Sequence, residues 1–124
     1  MSMYKDRVVV VTGAAGGMGA LIVQRFLSNG DTVIGTDTTM EAMKNLETSV
    51  GKGTKLLTLA TDIADPVSCG KLADFARDKV EKVDILVNCA GFFPTKSFAD
   101  MTLEDWNKVI GINLTGVFLM CKAI

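Results

Sequence analysis

The 124-residue sequence contains no histidine, and this absence excludes several kinds of site. Without histidine the chain has no Ser/His/Asp or Cys/His pair for nucleophilic catalysis and no zinc site with an imidazole ligand, and we expect no metal. Thirteen Lys and Arg against fourteen Asp and Glu leave a net charge of -1, and neither sign forms a block of five or six residues. Because an electrostatic attraction to nucleic acid or anionic membrane is missing, we predict neither partner.

Cysteines and long apolar runs are also scarce. The three cysteines, Cys69, Cys89 and Cys121, form an odd set without a C-x-x-C spacing, which is typical of free thiols in a reducing compartment. The longest early apolar run covers residues 8–11, too short for a signal-peptide core or a membrane span. We therefore expect a cytoplasmic protein. Its 48% hydrophobic content predicts one globular domain over residues 1–124.

Strand and helix patterns alternate along the chain. Four apolar runs predict strands, at residues 8–11, 32–36, 55–61 and 83–87. Each is followed by apolar residues at helical spacing, and capping signals precede three of the helices, at Thr38, Asp65 and Thr102. This order predicts an α/β fold of the Rossmann type, a doubly wound parallel sheet with helices on both faces. The pattern stops after the fourth strand and the helix that follows it.

A glycine-rich segment follows the first strand. Residues 12–19 fit the pattern T-G-x-x-x-G-x-G, with Gly13, Gly17 and Gly19 at its glycine positions. At the start of a helix the first amides have no partner within the helix, so they can bind a diphosphate if no Cβ intrudes. The alternative is a glycine-rich turn that serves local geometry alone. The spacing matches neither G-x-G-x-x-G nor the P-loop.

Asp37 ends the second predicted strand, 24 positions after Gly13. This offset is close to the roughly 20 residues at which an acidic side chain meets the adenosine ribose in dinucleotide-binding folds. A carboxylate there accepts hydrogen bonds from the ribose hydroxyls and repels a 2′-phosphate. The alternative is an N-cap for the next helix, although Thr38 could fill that role. The position favours dinucleotide binding.

Three further segments follow in the same register, and with them the sequence resembles the short-chain dehydrogenase/reductase family of the classical type. Beside the glycine pattern stand Asp62-Ile63, Asn88-Cys89-Ala90-Gly91 and Ile112-Asn113-Leu114. Together these motifs cover almost all of the chain. The resemblance implies an oxidoreductase whose cofactor is held by Gly13, Gly17, Met18, Gly19, Asp37, Asp62, Ile63, Asn88, Ala90 and Gly91.

The resemblance also implies individual roles. Asp62 and the Ile63 backbone would contact the adenine, and the turn at residues 88–91 would lie beside the cofactor and steady the sheet. Asn113 would help to hold a water molecule for proton relay. The residues alone favour a different interpretation for Asn113, which is a hydrogen bond to neighbouring backbone.

Two positions bear on the choice of cofactor. Relatives that prefer NADP often carry Lys or Arg just before the second glycine of the motif or just after the acid of the second strand. Here these positions are Gly16 and Thr38, so no cation is placed for a 2′-phosphate. We predict NAD(H), with a small alcohol or ketone as substrate of the complete enzyme.

The catalytic pair that the resemblance implies is missing. The family transfers a proton with Tyr-x-x-x-Lys and a serine, whereas this chain has one tyrosine, Tyr4, and Val8 stands four residues later. We expect the 124-residue chain alone to be inactive. Because it stops at Ile124 inside a helical pattern, we interpret it as the cofactor-binding half of a longer enzyme. The alternative is a catalytically silent nucleotide-binding or interaction module that ends here naturally.

The last predicted helix, residues 102–124, is apolar nearly all round. Its apolar residues occupy more of the circumference than one sheet face can cover, and they include Trp106, Val109, Ile110, Ile112, Val117, Phe118, Met120 and Ile124. Such a helix needs a second buried side. In the family this helix commonly packs against its counterpart in another subunit, so we expect a homo-oligomer.

Overall fold

The structure is a computed structural model that describes residues 4–124. Four strands alternate with helices in chain order: β1 Val8–Thr12, α1 Gly17–Ser28, β2 Thr32–Asp37, α2 Met40–Val50, β3 Leu56–Ala60, α3 Pro66–Lys79 and β4 Ile85–Val87. A 3-10 turn, Phe98–Asp100, precedes a final helical segment made of α4 Leu103–Ile110, a π-helical turn Gly111–Thr115 and α5 Gly116–Ala123.

The four strands form one parallel sheet in the order β3-β2-β1-β4. The chain moves outward from β1 to β3 and then returns to place β4 on the other side of β1. Loops that follow β1 and β4 therefore diverge, and ligands of doubly wound sheets bind in the crevice outside the carboxyl ends of the strands at such a switch point. The predicted Rossmann-type parallel sheet is confirmed.

Two apolar layers cover the sheet, one on each face. Alternate residues of a strand point to opposite faces, so Val9 and Val11 belong to one layer and Val10 to the other. The first layer includes residues of α1 and α2, namely Val23, Met43 and Leu46. The second includes residues of α3 and α5, namely Leu72, Ala76 and Met120. The helices lie on both faces, as predicted.

Two of the three predicted helix starts are confirmed. Asp65 caps α3, because its Oδ1 accepts from the backbone N–H of Val67 at 3.0 Å. Thr102 caps α4 in a reciprocal box: Thr102 Oγ1 accepts from the Asp105 N–H at 3.1 Å, and Asp105 Oδ2 accepts from the Thr102 N–H at 3.0 Å. A capping oxygen satisfies a backbone donor that the helix itself leaves unpaired.

The start of α2 differs from the prediction by one residue. Thr39, not Thr38, is the N-cap, and its Oγ1 accepts from the Ala42 N–H at 3.1 Å. The backbone N–H of Thr38 instead donates to Asp37 Oδ1 at 2.8 Å. This contact holds Thr38 in the turn after β2, so the helix begins at Met40 and the predicted cap at Thr38 is wrong.

The last predicted helix, residues 102–124, is helical from Leu103 to Ala123, but residues 111–115 are not regular α-helix. The chain forms a π-helical turn there, and the Gly116 N–H donates to the Gly111 carbonyl five residues earlier. A π-turn inserts an extra residue into the helix and re-aims the side chains around it. A Cβ on Gly116 would lie 2.8 Å from Ile63 Cδ1, so glycine lets this segment approach the turn after β3.

Two further predictions concern the state of the three cysteines and the length of the apolar segments. Cys69, Cys89 and Cys121 are free thiols, and only Cys69 is buried. Across residues 4–124 no helix is long and apolar enough to cross a membrane.

Candidate functional site

A cleft of about 560 Å³ opens at the carboxyl edge of the sheet. It is bounded by the segments that follow the four strands and by one side of the last helical segment. Its lining consists of Gly13, Gly16, Gly17, Met18, Gly19, Thr36, Asp37, Thr38, Thr61, Asp62, Ile63, Cys89, Ala90, Gly91, Phe92, Lys108 and Ile112. Every predicted cofactor-binding residue except Asn88 is among them. Residues far apart in the sequence meet here because the carboxyl ends of parallel strands share one edge.

Two glycines of the motif are required by the protein's own packing. Gly13 has φ +62, and a Cβ on it would lie 2.8 Å from the Ala90 backbone. A Cβ on Gly19 would lie 1.9 Å from the Gly13 carbonyl oxygen. The loop after β1 can therefore fold tightly against α1 and the turn after β4 only if both positions are glycine.

Gly17 is different, because within residues 4–124 a Cβ on it would meet no atom within 4 Å outside its own helical turn. It lines the cleft at the first position of α1, where the N-cap Gly16 provides no side-chain hydrogen bond. The first turn of α1 contains no acidic side chain. The first amides of this 12-residue helix have no partner within the helix and lie at its positive end beside the cleft, an arrangement that suits a diphosphate.

The Asp37 carboxylate is held at the cleft by two backbone amides. Its Oδ2 accepts from the Ala15 N–H at 3.1 Å, and its Oδ1 accepts from the Thr38 N–H at 2.8 Å. Each carboxylate oxygen can accept more than one hydrogen bond, so Asp37 keeps acceptor capacity for a ligand hydroxyl. The alternative role as the N-cap of α2 does not hold, because Thr39 fills it.

The turn after β3 carries Asp62 and Ile63. The Asp62 Oδ1 accepts from the Ala64 N–H at 2.9 Å, which fixes the carboxylate beside the cleft. Ile63 is buried, and its carbonyl accepts a weak hydrogen bond from Cys69 Sγ at 3.3 Å. Burial raises the pKa of the Cys69 thiol, so Cys69 is a packing residue rather than a nucleophile.

The turn after β4 is tied to the end of β1 through Thr12. The buried Thr12 Oγ1 accepts from the N–H groups of Cys89 and Ala90, both at 3.1 Å. Asn88 lies outside the cleft lining, and its Nδ2 donates to Cys121 Sγ of α5 at 3.6 Å. In this structure Asn88 links the turn to the last helix, and Thr12 places the turn.

Asn113 lies in the π-helical turn and bonds to backbone. Its Oδ1 accepts from the Phe92 N–H at 2.8 Å, and its Nδ2 donates to the Phe92 carbonyl at 2.9 Å. Asn113 does not itself line the cleft. Its side chain holds the loop that carries Phe92, as the residues alone suggested. The water-relay role implied by the resemblance stays a prediction.

Thr36, Thr61 and Lys108 line the cleft but were not singled out from the sequence. The two threonines end or follow strands, and a hydroxyl at a strand's carboxyl end is the signal that could have found them. Lys108 gives no such signal, because a lysine on a helix is ordinary. In the fold its Nζ lies 4.2 Å from the centre of the Phe92 ring, at the edge of the cleft.

Comparison with known proteins identifies the family. A family model described as short chain dehydrogenase matches residues 7–124. The chain belongs to the short-chain dehydrogenase family. It is 35% identical to the D-threitol dehydrogenase of Mycolicibacterium smegmatis over 120 residues, which is 95% of this chain and 46% of that protein.

Solved structures of family members have the same fold. A Brucella melitensis member, named a glucose/ribitol dehydrogenase, superposes with a TM-score of 0.90 at 33% identity, over 97% of this chain and 51% of that one. A Burkholderia phymatum member solved in complex with NAD gives 0.91 at 26% identity, over 99% of this chain and 44% of that one. The chain spans about half the length of the curated relatives it matches.

Proposed function

We propose that residues 1–124 form the NAD(H)-binding domain of an oxidoreductase that transfers hydride between nicotinamide and a small alcohol or ketone. The observation that carries the proposal is the Asp37 carboxylate, which two backbone amides hold at the same cleft as the open N-terminus of α1. Amide donors for a diphosphate and a carboxylate acceptor for ribose hydroxyls would thus share one crevice. The D-threitol dehydrogenase relative and the NAD complex of the Burkholderia phymatum member support this assignment.

The residues present fit a dinucleotide. Amides at the start of α1 would bind the diphosphate over the open position of Gly17, and Asp37 would accept from the adenosine ribose hydroxyls. The nicotinamide, when bound, supplies hydride transfer. What this chain does is bind and orient the cofactor, because it contains no Tyr-x-x-x-Lys pair for proton transfer.

Charge favours NAD over NADP. A 2′-phosphate on the adenosine ribose would meet the Asp37 carboxylate, and its neighbours Gly16 and Thr38 carry no charge. Lys108 is the one cation among the cleft-lining residues of the described chain. It lies against Phe92, which follows β4, whereas Asp37 ends β2 on the opposite side of β1. It is therefore on the wrong side of the crevice to neutralise such a phosphate.

Calorimetric titration of the chain with NADH and NADPH tests the proposal. We expect NADH to bind at least about ten-fold more tightly, which corresponds to about 1.4 kcal/mol. Asp37→Ala combined with Thr38→Arg should narrow or reverse the preference, because it exchanges a repulsive charge for an attractive one. Glu41→Gln is the matched control, since it removes an exposed acid of α2 that lies outside the cleft lining. Equal affinities for the two cofactors in the unmodified chain would contradict the assignment.

A further inference from the structure

Thr61, directly after β3, has a buried hydroxyl that no group in the described part of the chain satisfies. The residue is 3% exposed, and within residues 4–124 its Oγ1 has no hydrogen-bond partner. An unpaired buried hydroxyl is costly, and such groups in folded proteins usually have a partner. Thr61 also lines the cleft. A ligand bound in the cleft would therefore lie beside Thr61.

Comparison with the neighbouring strands shows that the unpaired hydroxyl is specific to Thr61. Thr12 and Thr36 end β1 and β2, and both are buried. Thr12 Oγ1 accepts from two backbone amides, and Thr36 Oγ1 donates to the Leu59 carbonyl at 2.6 Å. The protein uses these two hydroxyls to hold its own backbone. Of these three hydroxyls, that of Thr61 alone has no partner among residues 4–124.

The position of Thr61 indicates which part of a dinucleotide it meets. The Thr61 N–H donates to the Asp37 carbonyl at 2.8 Å, so the two residues are direct neighbours across β2 and β3. Asp37 stands where an acid meets the adenosine ribose. The turn after β4 lies beyond β1, on the other side of the sheet order. Thr61 therefore lies at the adenosine half of the crevice.

We propose that the Thr61 hydroxyl forms a hydrogen bond with the adenosine half of the bound dinucleotide and contributes to the affinity for adenine nucleotides. The inference rests on the proposed dinucleotide binding. A hydroxyl can donate and accept at once, so it can pair with a ring nitrogen, the amino group or a ribose hydroxyl of adenosine.

The test is Thr61→Val in the full chain, titrated with NADH and with ADP. Valine keeps the shape and removes the hydroxyl. We expect both ligands to bind about 5- to 10-fold more weakly, the usual effect of one lost hydrogen bond. The melting temperature without ligand should stay equal or rise, because an unsatisfied buried group has been removed. Thr61→Ser, which keeps the hydroxyl, should retain affinity for both ligands.

Thr36→Val is the matched control for the stability readout. It makes the same change one strand away, where the hydroxyl has a protein partner, so its melting temperature should fall.

Unchanged affinity in Thr61→Val would overturn the inference and leave the proposed function standing. Weaker binding of NADH but not of ADP would overturn the placement on adenosine. A lower melting temperature for Thr61→Val would show that the hydroxyl has a structural role, and this result would overturn the inference as well. If the unmodified chain binds neither NADH nor ADP, the proposed function fails and this inference fails with it.

Discussion

One added methyl group should affect stability differently at Gly17 and Gly19, which stand two residues apart in the same motif. At Gly19 the Cβ would lie 1.9 Å from the Gly13 carbonyl oxygen and 2.7 Å from the carbonyl carbon. Both atoms belong to the backbone, so α1 or the loop must move. Overpacking costs about 1–3 kcal/mol of stability. Because the neighbour here is rigid backbone, we expect Gly19→Ala to lower the free energy of unfolding by about 3 kcal/mol or more. We expect Gly19→Ala to lose stability and NADH binding together.

At Gly17 the same methyl group meets no atom of residues 4–124 within 4 Å outside its own helical turn. Alanine is favoured over glycine by up to about 1 kcal/mol inside a helix and by less in the first turn. The free energy of unfolding of Gly17→Ala should therefore stay level or rise by roughly 0.5 kcal/mol. The methyl group would project into the space above the first amides of α1, and NADH affinity should fall at least about ten-fold.

The assay measures both quantities on each variant, with urea unfolding followed by circular dichroism and with NADH titration. Gly30→Ala is the control, because Gly30 has φ +91 and lies outside the cleft lining. Alanine is strained at that φ, so Gly30→Ala should lose about 1 kcal/mol of stability and keep its NADH affinity. Wild-type NADH affinity in a well-folded Gly17→Ala would refute the placement of the diphosphate over this helix end.

Two further predictions concern stability and association. Asp31 is fully buried, and its hydrogen bonds from Arg7 lower its pKa from 3.8 to about 2, so its stabilising effect is present above pH 4 and is lost as the pH falls toward 2. Asp31→Asn should be less stable at pH 7, and acid unfolding curves should show a smaller further loss of stability between pH 4 and pH 2. A loss in Asp31→Asn equal to that of the wild type would contradict the role of the Asp31 carboxylate. Self-association through the last helix stays a prediction, motivated by Trp106, Leu114 and Phe118, which are 50%, 64% and 61% exposed. Phe118→Glu should shift light-scattering mass toward monomer, and a monomer at tens of micromolar before the substitution would show that this account of the helix is wrong.

The predictions that the structure confirms depend on contiguous residues. Asp65 before Pro66 marked the start of α3, because a cap and its helix lie within a few residues of each other. The spacing of Gly13 and Gly19 likewise marked a tight turn before a helix, and the structure shows the backbone contacts that require it. Even here the predicted start of α2 was wrong by one residue. Thr38 and Thr39 were both suitable caps, and the contact of Thr38 with Asp37 decided between them.

The order of strands and helices, the two-sided apolar pattern and the glycine motif were determined by the sequence alone, because hydrophobic period and backbone freedom are local properties. Which polar groups find partners was decided by the tertiary structure. Thr12 is satisfied by amides 77 and 78 residues away, and Asn113 by the backbone of Phe92, 21 residues away. Thr61 has the same chemistry as Thr12, yet the fold leaves its hydroxyl unpaired beside the cleft. The partner of a hydroxyl depends on which residues the sheet brings next to it. No local sequence pattern encodes a contact between residues so far apart in the chain.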